Sequence, residues 1–409
     1  MRSIAERARS HDRDDSLAHF RNRFVITDDL IYLDGNSLGR LPAETPRRIR
    51  ETVEEQWAHD LVVAWDRWLD AGTRIGDSLA PLIGANSGEV AVCDQTSINL
   101  FKLASAGLRS SGRRNIITDS GNFPSDRYVL ESVASSRGGQ LILAPEDPSA
   151  EDIAKLLDNT VGLVSLSHVA YRSGALTDGA EITGLVHERG ALMLWDLAHS
   201  AGSVPVHLSE WDADLAVGCT YKYLNAGPGA PGFLYVNREL QHVLEQPITG
   251  WFGHADQFGF TDEWVAADNI RRFLVGTPPI VSMVGVEVGV ALTVEAGIEQ
   301  LRNKSIALTS LFIEAVAPLS AHGIEIITPT APTRRGSHVT VRHRHGFQIA
   351  SNLRQRGVIP DFRAPDLIRF GFTPLYTTFE ETANAVEILV DILETRSYGS
   401  FPATRDGVT

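Results

Sequence analysis

A lysine and an aspartate at the ends of two apolar runs are the residues of this chain most suited to chemistry. Lys222 follows the run Asp214–Thr220 (DLAVGCT), and Asp196 follows the run Ala191–Trp195 (ALMLW). A lysine can form a Schiff base with an aldehyde cofactor, and an aspartate can keep a pyridine nitrogen protonated so that the ring accepts electrons. The pair therefore meets the minimum requirement for pyridoxal 5'-phosphate (PLP). A surface lysine beside a helix-capping aspartate is the structural alternative that the pair alone leaves open.

Short apolar runs alternate with helix-like stretches through the middle of the chain. The predicted strands are Asn115–Thr118, Gln140–Leu143, Val161–Ser167, Ala191–Trp195, Asp214–Cys219 and Phe233–Val236. Helical stretches such as Ser125–Ser136 and Asp178–Glu188 lie between them. This alternation predicts an α/β fold with a largely parallel sheet covered on both faces. Ligands of such sheets gather beyond the carboxyl ends of the strands, where Ser167, Asp196 and Lys222 fall.

The pattern changes after a long apolar helix predicted at Met283–Ala296. The elements predicted beyond it are Leu301–Leu319 (helix), Ile324–Ile327 and His338–Arg342 (strands), Phe347–Arg356 (helix) and Glu380–Glu394 (helix). They indicate a smaller α/β C-terminal domain. We predict an N-terminal segment, 1–45, that packs on the small domain and the active site, a large PLP-binding domain, 46–285, and the small domain, 286–409.

Composition restricts the classes of partner. Acidic residues outnumber basic ones, 51 to 37, and the net charge of −14 argues against nucleic acid as a general partner. Neither a continuous apolar run of about 18 residues nor an apolar signal core is present, so we expect a cytoplasmic protein without membrane association. Cys93 and Cys219 lie in apolar segments, which predicts buried, reduced thiols. We expect no metal, although His343 and His345 have a spacing that could bind one.

Motifs along nearly the whole chain resemble those of kynureninases, PLP hydrolases of fold type I in the class V aminotransferase-like group. The segments that carry the resemblance are Tyr32–Gly39 (YLDGNSLG), Phe123–Asp126 (FPSD), Trp195–Ser200 (WDLAHS), Gly218–Asn225 (GCTYKYLN), Gly250–His254 (GWFGH), Arg271–Phe273 (RRF), Gly276–Pro278 (GTP) and Ile368–Phe370 (IRF). Their number and order make the resemblance specific. It implies a large domain with a mostly parallel, seven-stranded sheet, a smaller α/β C-terminal domain, and a homodimer with shared active sites.

The resemblance also assigns cofactor contacts. Besides Lys222 and Asp196, the residues implied to bind PLP are Thr96, Ser97, Phe123, Pro124, Ser125, Asp126, Ser167, His199, Tyr221, Trp251 and Thr277. Thr96 and Ser97 precede an apolar helix, whose N-terminal N–H groups suit an anion, although an ordinary helix cap has the same sequence. Phe123 could equally be a core aromatic residue, and Ser167 an ordinary hydroxyl at a strand end. In this fold, cofactor contacts such as those implied for Trp251 and Thr277 often come from the second subunit.

The substrate side of the predicted site rests on four residues. Arg369 lies in an apolar, strand-like segment, where a guanidinium needs a partner and fits a carboxylate with two parallel hydrogen bonds. The resemblance makes that partner the α-carboxylate of the substrate, whereas an internal salt bridge is the alternative. Asn36 and Ser37 fall in a loop implied to cover the substrate. Trp65 is implied to face the aryl ring, and a register slip would transfer this role to Trp57 or Trp68.

The implied reaction is hydrolysis of L-kynurenine, or a ring-substituted relative, to anthranilate and L-alanine, in tryptophan catabolism by the kynurenine pathway that leads to NAD. Lys222, Asp196 and Tyr221 are the implied catalytic residues. A class V aminotransferase shares the lysine, the aspartate and the sheet, but it does not need the GNSLG and GWFGH segments. A cysteine desulfurase needs a reactive cysteine on a mobile loop, and a silent regulator of this fold would have lost the lysine, the aspartate or Arg369.

Overall fold

The computed structural model describes residues 3–27 and 29–402. A seven-stranded sheet forms the centre of the larger part of the molecule. Its strands, in chain order, are β2 (Val90–Val92), β3 (Asn115–Asp119), β4 (Leu141–Ala144), β5 (Val161–Ser167), β6 (Leu192–Asp196), β7 (Leu215–Gly218) and β8 (Phe233–Val236), and β1 (Ile31–Tyr32) lies outside it. The spatial order is β2-β8-β7-β6-β5-β3-β4. Five of these strands, β3 to β7, run parallel, and β8 is antiparallel to both of its neighbours, β7 and the edge strand β2.

Helices cover both faces of this sheet. The helices of the chain are α1 (Ile4–Arg13), α2 (Thr45–Glu51), α3 (Trp65–Trp68), α4 (Ala71–Leu79), α5 (Thr96–Ser110), α6 (Pro124–Ser136), α7 (Ala150–Leu156), α8 (Gly179–Glu188), α9 (Arg238–Gln241), α10 (Ile280–Ala296), α11 (Ile298–Val316), α12 (Gly346–Gln355) and α13 (Phe379–Thr395), with a π-helical segment at Thr52–Asp60. The sheet strands other than the edge strand β4 are almost wholly buried, as their apolar sequences predict, and Leu143 of β4 is exposed. Two apolar clusters flank them, one with α4, α8 and α10 and the other with α5 and α6. The predicted mostly parallel α/β fold is therefore confirmed.

The segment that follows β7 is held in place by α10. A Cβ atom added at Gly289 would lie 1.8 Å from the carbonyl oxygen of Leu224, and one at Gly285 would lie 2.1 Å from that of Ala226. The two glycines therefore let the helix backbone lie directly on the chain just after Lys222. Because any larger residue at either position would push these backbones apart, α10 fixes the end of the sheet that carries the lysine.

The C-terminal part of the chain has its own sheet and core. Its strands are β9 (Glu325–Ile326), β10 (His338–Arg342), β11 (Val358–Ile359), β12 (Asp361–Arg363) and β13 (Leu367–Gly371). The four-stranded sheet is antiparallel in the order β12-β13-β10-β9, and β11 pairs in parallel with β1 from the N-terminal segment. Ala8 and Leu33 are buried in the same core, so these parts of the N-terminal segment pack against the small sheet and its helices. The predicted division at 285/286 falls inside α10, and segments 1–45 and 286–409 include residues outside the described ranges.

The segment Ile298–His322, which comprises α11 and the turn after it, is long and apolar enough to cross a membrane by length and composition, with a mean hydropathy of 1.3. The sequence predicts a helix here, Leu301–Leu319, and Arg302 and Lys304 interrupt its apolar residues. Leu308 and Phe312, among others, are buried against the small sheet and α13. The apolar residues of the helix are thus accounted for by this core.

Candidate active site

The carboxyl ends of three neighbouring parallel strands bring the central residues together. Ser167 and Asp196 are paired neighbours at the ends of β5 and β6, and Asp196 is also paired with Val217 of β7. Lys222 follows β7 by four residues and reaches the same edge of the sheet. Lys222, Asp196 and Phe123 line one cavity of about 380 Å³. The edge of the sheet is therefore a ligand site of the kind that parallel α/β sheets provide.

Asp196 is a buried carboxylate held by short contacts. Its Oδ1 accepts a hydrogen bond of 2.8 Å from the backbone N–H of Ala198, and the Ser167 hydroxyl lies 3.4 Å from Oδ2. Burial raises the pKa of Asp196, and the nearby charge of Lys222 opposes this rise. A second cation beside the carboxylate would stabilise its charged form further. A protonated pyridine nitrogen is such a cation.

Lys222 and His199 lie side by side in the same cavity. The Lys222 Nζ is 3.4 Å from His199 Nε2 and 5.8 Å from the centre of the Tyr221 ring. His199 Nε2 also lies 3.1 Å from the carbonyl oxygen of Asn36. Burial, with a contribution from the charge of Lys222, holds the pKa of His199 well below its usual value, so the ring is neutral. A neutral His199 that donates from Nε2 to the Asn36 carbonyl oxygen connects the N-terminal loop to this side of the cavity, next to the lysine.

Tyr221 is a protonated phenol beside the lysine. The neighbouring Cys219 sulfur, followed by burial, raises its pKa above the usual value. The phenol therefore keeps its proton at neutral pH and can donate it. Cys219 is itself buried, and burial raises the pKa of its thiol, as the apolar setting of both cysteines predicts. A buried thiol at the end of a central strand lacks the mobility that a persulfide-forming cysteine needs.

The N-terminus of α5 faces the cavity and suits a phosphate group. Thr96 and Ser97 are its first two residues, and both line the cavity. Gly232 lies against them, since a Cβ atom there would be 3.1 Å from the Thr96 backbone nitrogen and 3.3 Å from its hydroxyl oxygen. A larger residue at Gly232 would fill the space in front of the helix. First-turn N–H groups, the Ser97 hydroxyl and the helix dipole together form an anion site, while the Thr96 hydroxyl donates to the carbonyl oxygen of Gly218 at 3.3 Å.

Buried polar atoms without partners also point to a ligand in this cavity. Among the described residues, neither Asp126 Oδ2 nor the side-chain amide of Asn36 has a hydrogen-bond partner, although these atoms are shielded from solvent. Both side chains line the cavity. Burial, with the charge of Asp196, raises the pKa of Asp126 well above its usual value. Buried polar groups are normally satisfied, so a ligand with polar substituents fits this cavity and PLP has that chemistry.

Comparisons with known proteins identify the family. The chain is 45% identical to a kynureninase of Pseudomonas fluorescens over 395 residues, which cover 95% of each chain. The chain belongs to the kynureninase family. It is also 44% identical to a kynureninase of Burkholderia pseudomallei strain 1106a, with 99% of each chain covered. The family model for the kynureninase C-terminal domain matches residues 301–389.

Solved structures of similar fold belong to more distant proteins. The apo cysteine desulfurase of Thermococcus onnurineus NA1 superposes with a TM-score of 0.81 at 20% identity, covering 92% of this chain and 98% of that one. A C-DES mutant with glycine covalently linked to its PLP cofactor gives 0.79 at 19% identity, covering 90% and 98%. At this identity the likeness concerns the fold alone. It confirms the fold-type-I architecture that the kynureninase motifs imply.

The structure gathers most of the residues that sequence reasoning assigned to the kynureninase site. Those that line the cavity are Asn36, Ser37, Thr96, Ser97, Phe123, Ser125, Asp126, Asp196, His199, Tyr221, Lys222 and Arg369. Pro124 is the first residue of α6 and sets the start of that helix behind Phe123. Ser167 is outside the cavity lining but contacts Asp196. These residues therefore share one cavity around the lysine in a single chain, and their individual roles stay predictions.

Three assigned residues lie elsewhere in the single chain. Trp65 packs on Trp68 and Phe252, with ring centroids 5.5 and 6.5 Å apart. Trp251 is 39% exposed. Thr277 lines a different cavity, which includes Cys93 and Asp94. Their roles in cofactor or substrate binding stay predictions.

Five cavity residues were not assigned from the sequence. Ala198 and Cys219 lie inside the motifs that carry the resemblance, whereas Gln95, Tyr171 and Arg363 lie outside them. Gln95 directly precedes the anion-binding pair and could have been included by its position alone. Tyr171 lies in a loop after β5, and its ring meets that of Phe123 edge-on at 5.2 Å. Neither Tyr171 nor Arg363 carries a local sequence signal for a site. They reach the cavity only through the packing of the two parts of the chain.

Two partners were predicted as alternatives for Arg369, namely the substrate α-carboxylate and an internal carboxylate. Arg369 is buried and forms an internal ion pair with Asp361, with Nε 2.8 Å from Oδ2 and Nη2 bonded to the same oxygen. It also lines the cavity. The internal salt bridge is therefore present, and the guanidinium still faces the space where a substrate would lie. Among the described residues, no group of three or more His, Cys, Asp or Glu side chains could hold a metal ion.

Proposed function

We propose that the protein is a PLP-dependent hydrolase that converts L-kynurenine and water to anthranilate and L-alanine. The observation that carries the proposal is the convergence of Lys222, Asp196 and Arg369 on one cavity, in a chain that is 45% identical to a kynureninase over almost its whole length. A ring-substituted kynurenine is a second candidate substrate, since the residue expected to face the aryl ring, Trp65, lies outside this cavity.

The proposed chemistry divides among residues of the cavity. When bound, PLP supplies an electron sink for the electron pair released when the Cα proton leaves. Lys222 is the base for that proton, and Asp196 keeps the sink charged. Arg369 holds the α-carboxylate, while water adds to the aryl ketone and the Cβ–Cγ bond breaks, with its electrons passing to Cβ. Tyr221, whose phenol keeps its proton, then protonates Cβ, and the protonated Lys222 returns a proton to Cα to give alanine.

The reaction is tested with purified protein, added PLP and L-kynurenine. We expect anthranilate, followed by its fluorescence, and L-alanine in equal amounts, with no requirement for a 2-oxo acid. Parallel assays with 3-hydroxykynurenine and a methyl-substituted kynurenine rank the substrates by kcat/KM. Consumption of a 2-oxo acid without anthranilate would instead identify a class V-type aminotransferase, and the absence of an anthranilate-type product from all three substrates would refute the proposal.

The Tyr221→Phe variant is expected to separate proton donation from cofactor binding. Loss of one positioned acid lowers kcat by about 10²-fold or more, whereas loss of one hydrogen bond to the cofactor weakens PLP binding by only about tenfold. Stopped-flow turnover and PLP titration measure the two effects separately. If PLP affinity falls as much as kcat, Tyr221 is a cofactor-binding residue and not the proton donor.

We infer that the working enzyme is a homodimer with shared sites. Trp251 and Thr277 lie outside the cavity that contains Lys222 in the single chain. Large apolar side chains are also exposed near the π-helical segment, with Trp57, Val62 and Val63 between 60% and 75% exposed. A second copy that covers this surface would explain both observations.

The acidic composition, with a net charge of −14, and the buried free cysteines support a cytoplasmic enzyme with a small-molecule substrate and no nucleic-acid or membrane partner.

The homodimer is tested by light scattering and by subunit mixing. We expect twice the chain mass of 44.6 kDa. Inactive Lys222→Ala and Trp251→Ala variants, unfolded together and refolded, are expected to regain about a quarter of wild-type activity, because a mixed dimer then contains one intact site. Either variant refolded alone is the control. An active monomer would refute the dimer, and mixing without recovery would place Trp251 and Lys222 in the same subunit's site.

A further inference from the structure

Two arginines meet one buried carboxylate at the substrate side of the cavity. Asp361 on β12 and Arg369 on β13 are direct cross-strand partners. Arg363 follows Asp361 by two residues on β12, so both side chains lie on the same face of the sheet. The Oδ2 atom of Asp361 accepts from Arg369 and lies 3.0 Å from Nη2 of Arg363. Asp361 is fully buried, and this arrangement places both guanidinium groups beside the cavity.

Arg369 has few donors left for a ligand. A guanidinium carries five N–H groups. Two of those in Arg369 go to Asp361, one from Nη1 to the carbonyl oxygen of Tyr171 at 2.6 Å, and one from Nη2 to the Ser37 hydroxyl at 3.3 Å. One N–H group remains, whereas a carboxylate is clamped by two parallel hydrogen bonds. With its present contacts, Arg369 alone does not complete a carboxylate site.

Arg363 has the donors that Arg369 lacks. Its guanidinium forms the ion pair with Asp361 but no hydrogen bond with any described residue, and its Nε is buried without a partner. Its side chain lines the cavity and is 31% exposed. We propose that Arg363 provides the second guanidinium that binds the α-carboxylate of the substrate, and that Asp361 is the positioning residue that holds both arginines. This inference rests on the proposed function, because it concerns the amino-acid end of the same substrate.

Asp361 orients both guanidinium groups before a ligand binds. Arginine side chains lose substantial rotamer freedom when they are ordered. A buried carboxylate between Arg363 and Arg369 imposes that order in the free protein, so less entropy is lost when the substrate carboxylate arrives. The proposal therefore expects weaker substrate binding when Asp361 is replaced, although Asp361 does not contact the substrate.

The test uses binding of two small amines to the PLP-loaded enzyme, followed by the absorbance of the cofactor. L-Alanine has the α-carboxylate, and ethylamine has the same carbon skeleton without it. We expect Arg363→Gln to weaken L-alanine binding by about 10- to 100-fold and ethylamine binding by less than about twofold. Arg363→Lys, which retains the charge, is expected to recover part of the loss. Arg344→Gln replaces an exposed arginine of the same domain and is the matched control.

Asp361→Asn tests the positioning role, with KM for L-kynurenine expected to rise more than kcat falls. In the double variant with Arg363→Gln, the two losses in L-alanine affinity should combine to less than their product, because both act on one contact. Unchanged L-alanine affinity in Arg363→Gln overturns the inference, and so does an equal loss of ethylamine binding. If L-alanine binding responds as expected but no kynurenine is hydrolysed, the carboxylate site stands and the proposed function fails.

Discussion

The Lys222→Ala variant is expected to lose kcat/KM for L-kynurenine by at least about 10⁴-fold, the upper range for one positioned general base. Lys222 is the one lysine that lines the cavity within the described residues, so no neighbouring amine can replace it. The Nε2 atom of the neutral His199 lies 3.4 Å from the Lys222 amine. Because this nitrogen carries the proton that it donates to the Asn36 carbonyl oxygen, it cannot accept the Cα proton. Loss of the amine also removes the covalent attachment of PLP.

Two measurements check this expectation. Borohydride treatment of the wild-type protein should fix PLP to the peptide that contains Lys222, and the variant should show no fixed cofactor. Lys155→Ala, which replaces an exposed lysine of α7, is the control and should retain normal activity. A Lys222→Ala protein that keeps more than about 1% of wild-type turnover would contradict the role of the amine as the base.

The centre of the site could be predicted because its residues are marked by local patterns. Ser167 and Asp196 end apolar runs that can only be central strands, and parallel strands end at one edge of the sheet. Lys222 lies in a loop just beyond a third such strand. Strands β5, β8 and β10 have the predicted bounds, and β3, β4, β6, β7 and β9 differ from them by one residue at one or both ends. The edge strand β2 was not predicted. Local pattern and sheet geometry therefore suffice for this part.

The substrate side depends on contacts that no local pattern encodes. The sequence allows two roles for Arg369, a ligand of the substrate carboxylate or one half of an internal salt bridge. In the structure Arg369 forms the salt bridge and also lines the cavity. The choice was open because Asp361 becomes its partner only through the pairing of β12 with β13. Arg363 was missed for the same reason. From the sequence alone, Arg363 cannot be distinguished from an ordinary surface arginine, because the burial of Asp361 two residues earlier is known only from the structure.

Trp65, Trp251 and Thr277 show a different limit. Trp251 and Thr277 lie in motifs that the sequence shows, and Trp65 was assigned with an alternative register, but the single chain does not bring these residues to Lys222. In a shared site, residues of a second copy would complete the cavity. The sequence of one chain does not show which surfaces of two copies are in contact. Exposed apolar side chains such as Val62 and Val63 are interpretable only once their neighbours in space are known.

The Asp196→Ala variant is expected to lower kcat by about three orders of magnitude while PLP remains attached to Lys222. In the wild-type protein burial disfavours the charged carboxylate, and the raised pKa of Asp196 reflects this cost. A protonated pyridine nitrogen offsets the cost, and the carboxylate in turn keeps that nitrogen protonated. Without Asp196 the ring nitrogen lies in a buried setting with no counter-charge and loses its proton, so the electron sink is weakened.

Matched substitutions isolate the charge. Asp196→Asn keeps the shape and the hydrogen bond from the Ala198 N–H but removes the charge, so it should be nearly as inactive as Asp196→Ala. Asp196→Glu keeps the charge at a displaced position and should retain more activity than either. Glu131→Ala, at an exposed position on α6, is the control. If Asp196→Asn has near-normal kcat, a hydrogen bond at this position is sufficient for catalysis, and the charge of Asp196 is not what maintains the electron sink. Greater activity in Asp196→Glu than in Asp196→Asn, with PLP equally bound in both, would show that the charge itself drives catalysis.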